Sequence, residues 1–136
     1  MQDYRILVVD DDIMSRKLLT RYLEKMGFTR IEAMAGTKEA EHSLIDSHVR
    51  GEPFHLVLLD WRMPGEDGGQ FLIKCRADER FESVPIIMAT VENDPKKIRM
   101  AINKGATSYI VKPISYAGLK NSVTQALQRS ERQQLS

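Results

Sequence analysis

A chain of 136 residues, 42% hydrophobic and 29% charged, can bury one core but not two, so a single domain over residues 1–136 is expected. Twenty Lys+Arg against nineteen Asp+Glu leave a formal charge of +1, which gives no global reason for a nucleic-acid or membrane partner; any charge-driven function is local. No apolar run approaches the roughly 20 residues of a membrane span, the opening Met1-Gln2-Asp3-Tyr4-Arg5 lacks the regions of a signal peptide, and the only cysteine, Cys75, allows no intramolecular disulfide, so a cytoplasmic location is expected.

Taken in chain order, Ile6 to Val9 is a short apolar run that reads as a strand. Met14, Leu18, Leu19, Tyr22, Leu23 and Met26 follow at helical spacing, with Gly27 as the stop. A weaker strand over Ile31 to Ala35 precedes a helical stripe of Ala40, Leu44 and Ile45, and His48 to Phe54 reads as a loop. Leu56 to Leu59 is the third strand. Phe71, Leu72 and Cys75 mark the third helix, with Cys75 a small core residue and not a reactive thiol.

Ile86 to Ala89 is the fourth strand, followed by a stripe of Ile98, Ala101 and Ile102 that Gly105 closes. The basic Lys96, Lys97 and Arg99 on that segment read as a solvated helix face. Tyr109 to Val111 is the fifth strand, and Leu119, Val123, Ala126 and Leu127 mark the fifth helix, whose polar end, chiefly residues 130–136, reads as a fraying terminus. His42, His48 and His55 share no ligand spacing and read as structural or surface residues.

Strands without polar alternation, separated by amphipathic helices, predict a doubly wound α/β fold of (βα)₅ type with a five-stranded parallel sheet. In such a sheet the carboxyl ends of the strands share one edge, where ligands bind. That edge gathers Asp10, Asp11 and Asp12 from the first strand, Asp60 from the third, Thr90 from the fourth and Lys112 with Pro113 from the fifth. Each has a plain structural reading alone, and Asp12, just ahead of Ile13, reads as a helix cap before it reads as a metal ligand.

Together they carry chemistry. Clustered carboxylates repel one another unless a cation holds them. Mg²⁺ takes oxygen ligands and typically uses one or two carboxylates plus phosphate oxygens. A central carboxylate with a metal, an ammonium and a hydroxyl around it has the parts needed to transfer a phosphoryl group onto Asp60.

At these residues the sequence resembles the receiver domain of two-component response regulators, above all its single-domain chemotaxis members. The motifs are Val9-Asp10-Asp11, Asp60-Trp61-Arg62-Met63-Pro64 with Asp67-Gly68, Met88-Ala89-Thr90, and Gly105-Ala106-Thr107-Ser108-Tyr109-Ile110-Val111-Lys112-Pro113, and the resemblance covers almost the whole chain. The resemblance implies a flavodoxin-like strand order of 2-1-3-4-5. It also implies that Asp60 is the phosphoacceptor and that Mg²⁺, replaceable by Mn²⁺, is held by Asp11, Asp60 and the backbone carbonyl of Arg62, with Asp10 assisting through water.

In the same way Thr90 would hydrogen-bond the phosphoryl oxygens, Lys112 would pair with them, and the Lys112-Pro113 bond would be cis. Tyr109 would be the switch aromatic that follows Thr90 and biases the face made by the fourth helix, fifth strand and fifth helix. Ile98, Tyr109 and Ser122 would engage partners there. Arg62 and Glu92, two residues beyond the acceptor and the threonine, occupy positions that tune the lifetime of the phosphoryl bond, and are expected to pair across the site mouth.

The implied function is a monomeric signalling switch, not a turnover enzyme: it takes a phosphoryl group from a histidine kinase and binds a protein target such as a flagellar motor switch. A phosphorelay intermediate serving a histidine phosphotransfer domain is the alternative within the family. The rival of another class, a phosphatase that forms an aspartyl phosphate, needs a second carboxylate two residues beyond the nucleophile, where this chain has Arg62. Neither G-x-x-x-x-G-K-[ST] nor G-x-G-x-x-G occurs, which disfavours a nucleotide enzyme.

Overall fold

The computed structural model describes residues 3–135. In chain order the elements are β1 (Arg5–Val9), α1 (Ile13–Lys25), β2 (Arg30–Met34), α2 (Thr37–Val49), β3 (Leu56–Leu59), α3 (Gly68–Ala77), β4 (Ile86–Thr90), α4 (Pro95–Asn103), β5 (Ser108–Val111) and α5 (Tyr116–Leu135). The strands form one five-stranded sheet in the order β2-β1-β3-β4-β5, every neighbouring pair parallel. The flavodoxin-like α/β expectation is met, strand order included.

Successive strand residues face opposite sides of the sheet, so the apolar runs build two cores. Leu7, Val9, Val57, Leu59, Ile86 and Met88 pack with Ala40, Leu44, Phe71, Leu72, Cys75 and Ala101 beneath α2, α3 and α4. Ile6, Val8, Leu56, Leu58, Ile87 and Ala89 pack with Leu19, Leu23, Leu119, Val123 and Ala126 beneath α1 and α5. The central strands β1, β3 and β4 are buried throughout. The edge strands β2 and β5 are half-exposed, because each has a neighbour on one side only.

Three details depart from the sequence reading. On α1, Leu19 and Leu23 are buried, but Met14 is 68% exposed and Leu18 is exposed as well; Leu18 precedes Leu19 by one residue, about 100° round the helix, and carries Met14 on its own line. Ile102 is exposed beside buried Ala101 for the same reason. The expected loop over His48 to Phe54 is shorter, since α2 runs to Val49 and the Arg50 N–H continues the ladder to the Asp46 carbonyl at 3.0 Å.

Gly27, expected to stop α1, follows the C-cap Met26 with φ +102°, a left-handed conformation that glycine adopts without strain. Arg5, buried at the start of β1, is satisfied by Ser47 Oγ at 3.0 Å, by Glu32 and by the Glu52 carbonyl, with its guanidinium 4.2 Å from the centre of the Phe54 ring. Among the described residues every buried side-chain nitrogen and oxygen has a hydrogen-bond partner, and no helix is long and apolar enough to cross a membrane.

Candidate functional site

The parallel sheet brings the carboxyl ends of β1, β3, β4 and β5 together, and the polar residues there do converge. Carboxylate oxygens of Asp10, Asp11 and Asp60 all lie within 4.8 Å of one another. Asp10 is 1% and Asp60 7% exposed, whereas Asp11 faces solvent. The backbone fixes the two buried carboxylates: the Asp12 N–H donates to Asp10 Oδ1 at 2.9 Å and the Arg62 N–H to Asp60 Oδ1 at 3.4 Å. Asp12 itself is the N-cap of α1, accepting from the Met14 N–H at 3.3 Å.

Lys112 enters from the tip of β5 across a cis Lys112-Pro113 bond. Its Nζ donates to Asp10 Oδ2 at 2.6 Å, Ser15 Oγ at 3.0 Å and Asp60 Oδ2 at 3.4 Å. Burial alone would lower the lysine pKa; the hydrogen bond to Asp10 and the charge of Asp60 outweigh it and raise the net value. Burial raises the Asp10 carboxyl above the ordinary carboxylate range, against the pull of Lys112, and the nearby Asp60 charge adds to the rise. A crowded anionic pair with one ammonium is electrostatically unfinished, and more positive charge is what it lacks.

Thr90 is 0% exposed at the end of β4, its Oγ1 accepting the Glu92 N–H at 3.3 Å. Glu92, 6% exposed, closes one side of the mouth through Arg62 Nη2 at 3.1 Å and Lys97 Nζ at 3.0 Å. These contacts, Lys97 first and Arg62 second, hold its carboxyl down at about 2. An open cleft of about 480 Å³ lies between Asp11, Trp61, Arg62, Asp67, Glu92 and Lys97.

The loop after β3 is shaped by close backbone approach. The Gly68 N–H donates to the Trp61 carbonyl at 2.8 Å, and a Cβ at Gly68 would overlap the Asp60 carbonyl oxygen and lie 2.9 Å from its carbonyl carbon. Asp67 then caps α3 in a reciprocal box with Gln70, at 2.8 and 3.0 Å.

Tyr109 packs against the core beneath α2, α3 and α4, and its hydroxyl donates to the Glu92 carbonyl at 2.8 Å. Burial, and then the Glu92 charge, push the phenol up to about 12. Ile98 on α4, Tyr109 on β5 and Ser122 on α5 are all half-buried, and Ser122 Oγ lies 3.3 Å from Ser108 Oγ. Two residues that the sequence reading left out of the site belong to its surroundings. Ser15 touches Lys112, and Lys97, assigned to a solvated face, shares the Glu92 carboxylate. Ser15 falls three residues after the Asp12 cap, in the first turn of α1, and that spacing was the available signal.

Oxygen-only donors with an ammonium beside them suit a hard divalent cation and not a softer metal. The residues therefore fit Mg²⁺.

The family model described as the response regulator receiver domain matches residues 6–124. The chain belongs to the response regulator receiver family. This receiver domain is 33% identical over 130 residues to the chemotaxis protein CheY-3 of Vibrio cholerae, covering 94% of this chain and 95% of that protein. Among solved structures it is similar to a CheY-like receiver domain protein of Methanospirillum hungatei, with a TM-score of 0.81 at 27% identity over 96% of this chain and 98% of the other. It is also similar to the CheX-CheY-BeF₃-Mg²⁺ complex of Borrelia burgdorferi, with a TM-score of 0.79 at 27% identity over 90% and 87% of the two chains. Receiver domains are signalling domains, so this is a CheY-like module of two-component signalling.

Proposed function

We propose that this chain is a cytoplasmic response regulator, one receiver domain over residues 1–136, that accepts a phosphoryl group on Asp60 from a histidine kinase. The observation that carries the reading is Lys112 Nζ in contact with both Asp10 and Asp60, at 2.6 and 3.4 Å, with buried Thr90 at the end of the neighbouring strand, its carbonyl accepting the Lys112 N–H at 2.8 Å. An Asp60 carboxylate oxygen attacks the phosphorus of the donor, the P–O bond forms, and the donor's P–N bond breaks with its electron pair returning to the imidazole. Lys112 meets the charge of the arriving phosphoryl oxygens, and the Thr90 hydroxyl donates to them.

Asp11, Asp60 and the Arg62 carbonyl, with Asp10 assisting through water, would hold Mg²⁺, or Mn²⁺ in its place, which would supply positive charge against those oxygens. The similarity to CheY-3, a chemotaxis protein, supports a chemotactic role with a motor-type protein target. Thr90 and Tyr109 carry the state of the site to the face of α4, β5 and α5, where Ile98, Tyr109 and Ser122 meet the partner. The aspartyl-phosphatase alternative is disfavoured, because Arg62 stands where the second carboxylate would be and is engaged with Glu92.

Intact mass after incubation with acetyl phosphate, with and without Mg²⁺, tests the reading. A Mg²⁺-dependent gain of one phosphoryl group that disappears in Asp60→Asn is expected. A folded protein that gains nothing under either condition overturns it.

A further inference from the structure

We propose that Ser15 is a positioning residue for Lys112: its hydroxyl fixes where the ammonium stands, and through it the rate at which Asp60 is phosphorylated. The inference rests on the phosphoacceptor reading of Asp60.

The Lys112 ammonium has three donors, and its protein partners are Asp10, Ser15 and Asp60 at 2.6, 3.0 and 3.4 Å. Two of these are carboxylates placed where a cation and a phosphoryl group would compete for their oxygens. Ser15 is the neutral partner and sits outside that competition, on the first turn of α1. Its hydroxyl is itself oriented, donating to Asp12 Oδ2 at 2.9 Å and leaving a lone pair for the ammonium.

Ordinary helix capping does not account for this arrangement. Ser15 is the third residue of α1 after the Asp12 cap. In a capping box the side chain at that position reaches back to the cap's own N–H. Here the Asp12 N–H is taken by Asp10 Oδ1 at 2.9 Å, and Ser15 joins the Asp12 carboxylate to the Lys112 ammonium instead. The chain of contacts from Met14 N–H through Asp12 and Ser15 to Lys112 anchors a flexible four-carbon side chain to the end of a helix. Without it the ammonium has only the two anions to hold it, and the shorter contact, to Asp10, draws it from Asp60. Placing a charged group before reaction is worth much of a barrier, because the ordering cost is met in advance.

The test is the time course of acetyl phosphate labelling in Mg²⁺, read by intact mass, for the full chain and its Ser15→Ala, Ser15→Thr and Asp60→Asn variants. Labelling of Ser15→Ala should be about tenfold slower, the scale of a hydrogen bond to a charged group, while Ser15→Thr, which restores the hydroxyl, labels within about twofold of the unaltered chain. Urea unfolding midpoints accompany the rates, since a purely structural role would lower the midpoint of Ser15→Ala with no selective rescue by threonine. Ser15→Ala labelling at the unaltered rate, or Ser15→Thr as slow as Ser15→Ala, overturns the inference alone. No labelling of the unaltered chain, or equal labelling of Asp60→Asn, overturns the phosphoacceptor reading and the inference with it.

Discussion

Arg62 reaches across the mouth of the acidic site to Glu92, Nη2 to Oε1 at 3.1 Å, joining the loop after β3 to the loop after β4. Lys97 shares the same carboxylate oxygen at 3.0 Å, so the bridge has two cations on one anion.

Cutting this bridge should widen the mouth of a cleft that is already open. Arg62→Ala and Glu92→Ala are each expected to speed loss of the phosphoryl group, by roughly threefold for a part-exposed pair, with Glu92→Ala the larger because it releases Lys97 as well. Decay of the labelled protein after donor removal measures it, and unchanged decay in both variants refutes the bridge's role. The Glu92 carboxyl sits at about 2 against an ordinary 4.5. A depressed carboxyl contributes above its unfolded value and loses that contribution as pH falls toward the folded one. As pH falls, the bridge therefore keeps its contribution down to about 4.5 and loses it between there and about 2.

Gly68 is required by close approach. A methyl at Gly68 meets the Asp60 carbonyl and lies 3.0 Å from Trp61 Cα, all backbone that cannot move without moving the acidic site. Gly68→Ala is expected to cost about 2 kcal/mol or more in urea unfolding. Gly36→Ala, whose added Cβ meets nothing nearer than Glu39 Oε1 at 3.6 Å, should cost no more than about 1 kcal/mol. Equal losses would show that the contact does not constrain the loop.

His55 gives the fold an acid sensitivity. Its Nδ1 accepts the Arg5 N–H at 2.9 Å, and burial, with Arg30 and Arg5 nearby, lowers its pKa below 6.5. The folded state favours the neutral ring, so the unfolded chain binds the proton first as pH falls. Stability is fully present above 6.5 and declines below it. Urea titrations at pH 7.5 and 5.5 should show the decline, and His55→Asn should flatten it; the same slope in both proteins would assign the effect elsewhere.

Cys75 lies buried in the core, its thiol pushed up to about 12 by burial. At pH 8 the native protein should react with a disulfide reagent at least about a hundredfold more slowly than the urea-unfolded chain, because the thiolate is the nucleophile. Above pH 9.0 the unfolded chain loses a proton that the folded chain keeps until about 12, so the fold loses stability across that window. Rapid native labelling would contradict the burial.

The order of elements was legible because buried parallel strands have no polar face to disguise them: Leu56 to Leu59 matches β3 residue for residue. The site was legible because its residues stand directly after strands, where a parallel sheet has to gather them. The end of α2 was not, since His48 and Val49 look like loop until the His48 ring is seen edge-on to Phe81, 6.3 Å between centres. The first strand begins one residue before its apolar run, at Arg5, which was not legible because no sequence pattern announces a buried guanidinium matched by Ser47, 42 residues away. Ser15 was missed for a like reason, since its partner Lys112 is 97 residues away, whereas Lys97 was missed because its basic neighbours suggest a solvated face although Glu92 stands only five residues before it.

The strand order sets the route by which the acidic site can influence the surface. Asp60 ends the middle strand, β3, and β5 is the second strand to one side of it, so the tip of β3 is about 10 Å from the outer strand. Between them stands β4, buried along its whole length and packed on both faces, which leaves it little room to shift. The contacts that link the two therefore run over the top of β4, through the few residues that follow Thr90. Glu92 stands on that crossing, its carbonyl engaged by Tyr109 and its carboxylate by Arg62 and Lys97. One short segment thus touches the rim of the acidic pocket and the outer strand at once.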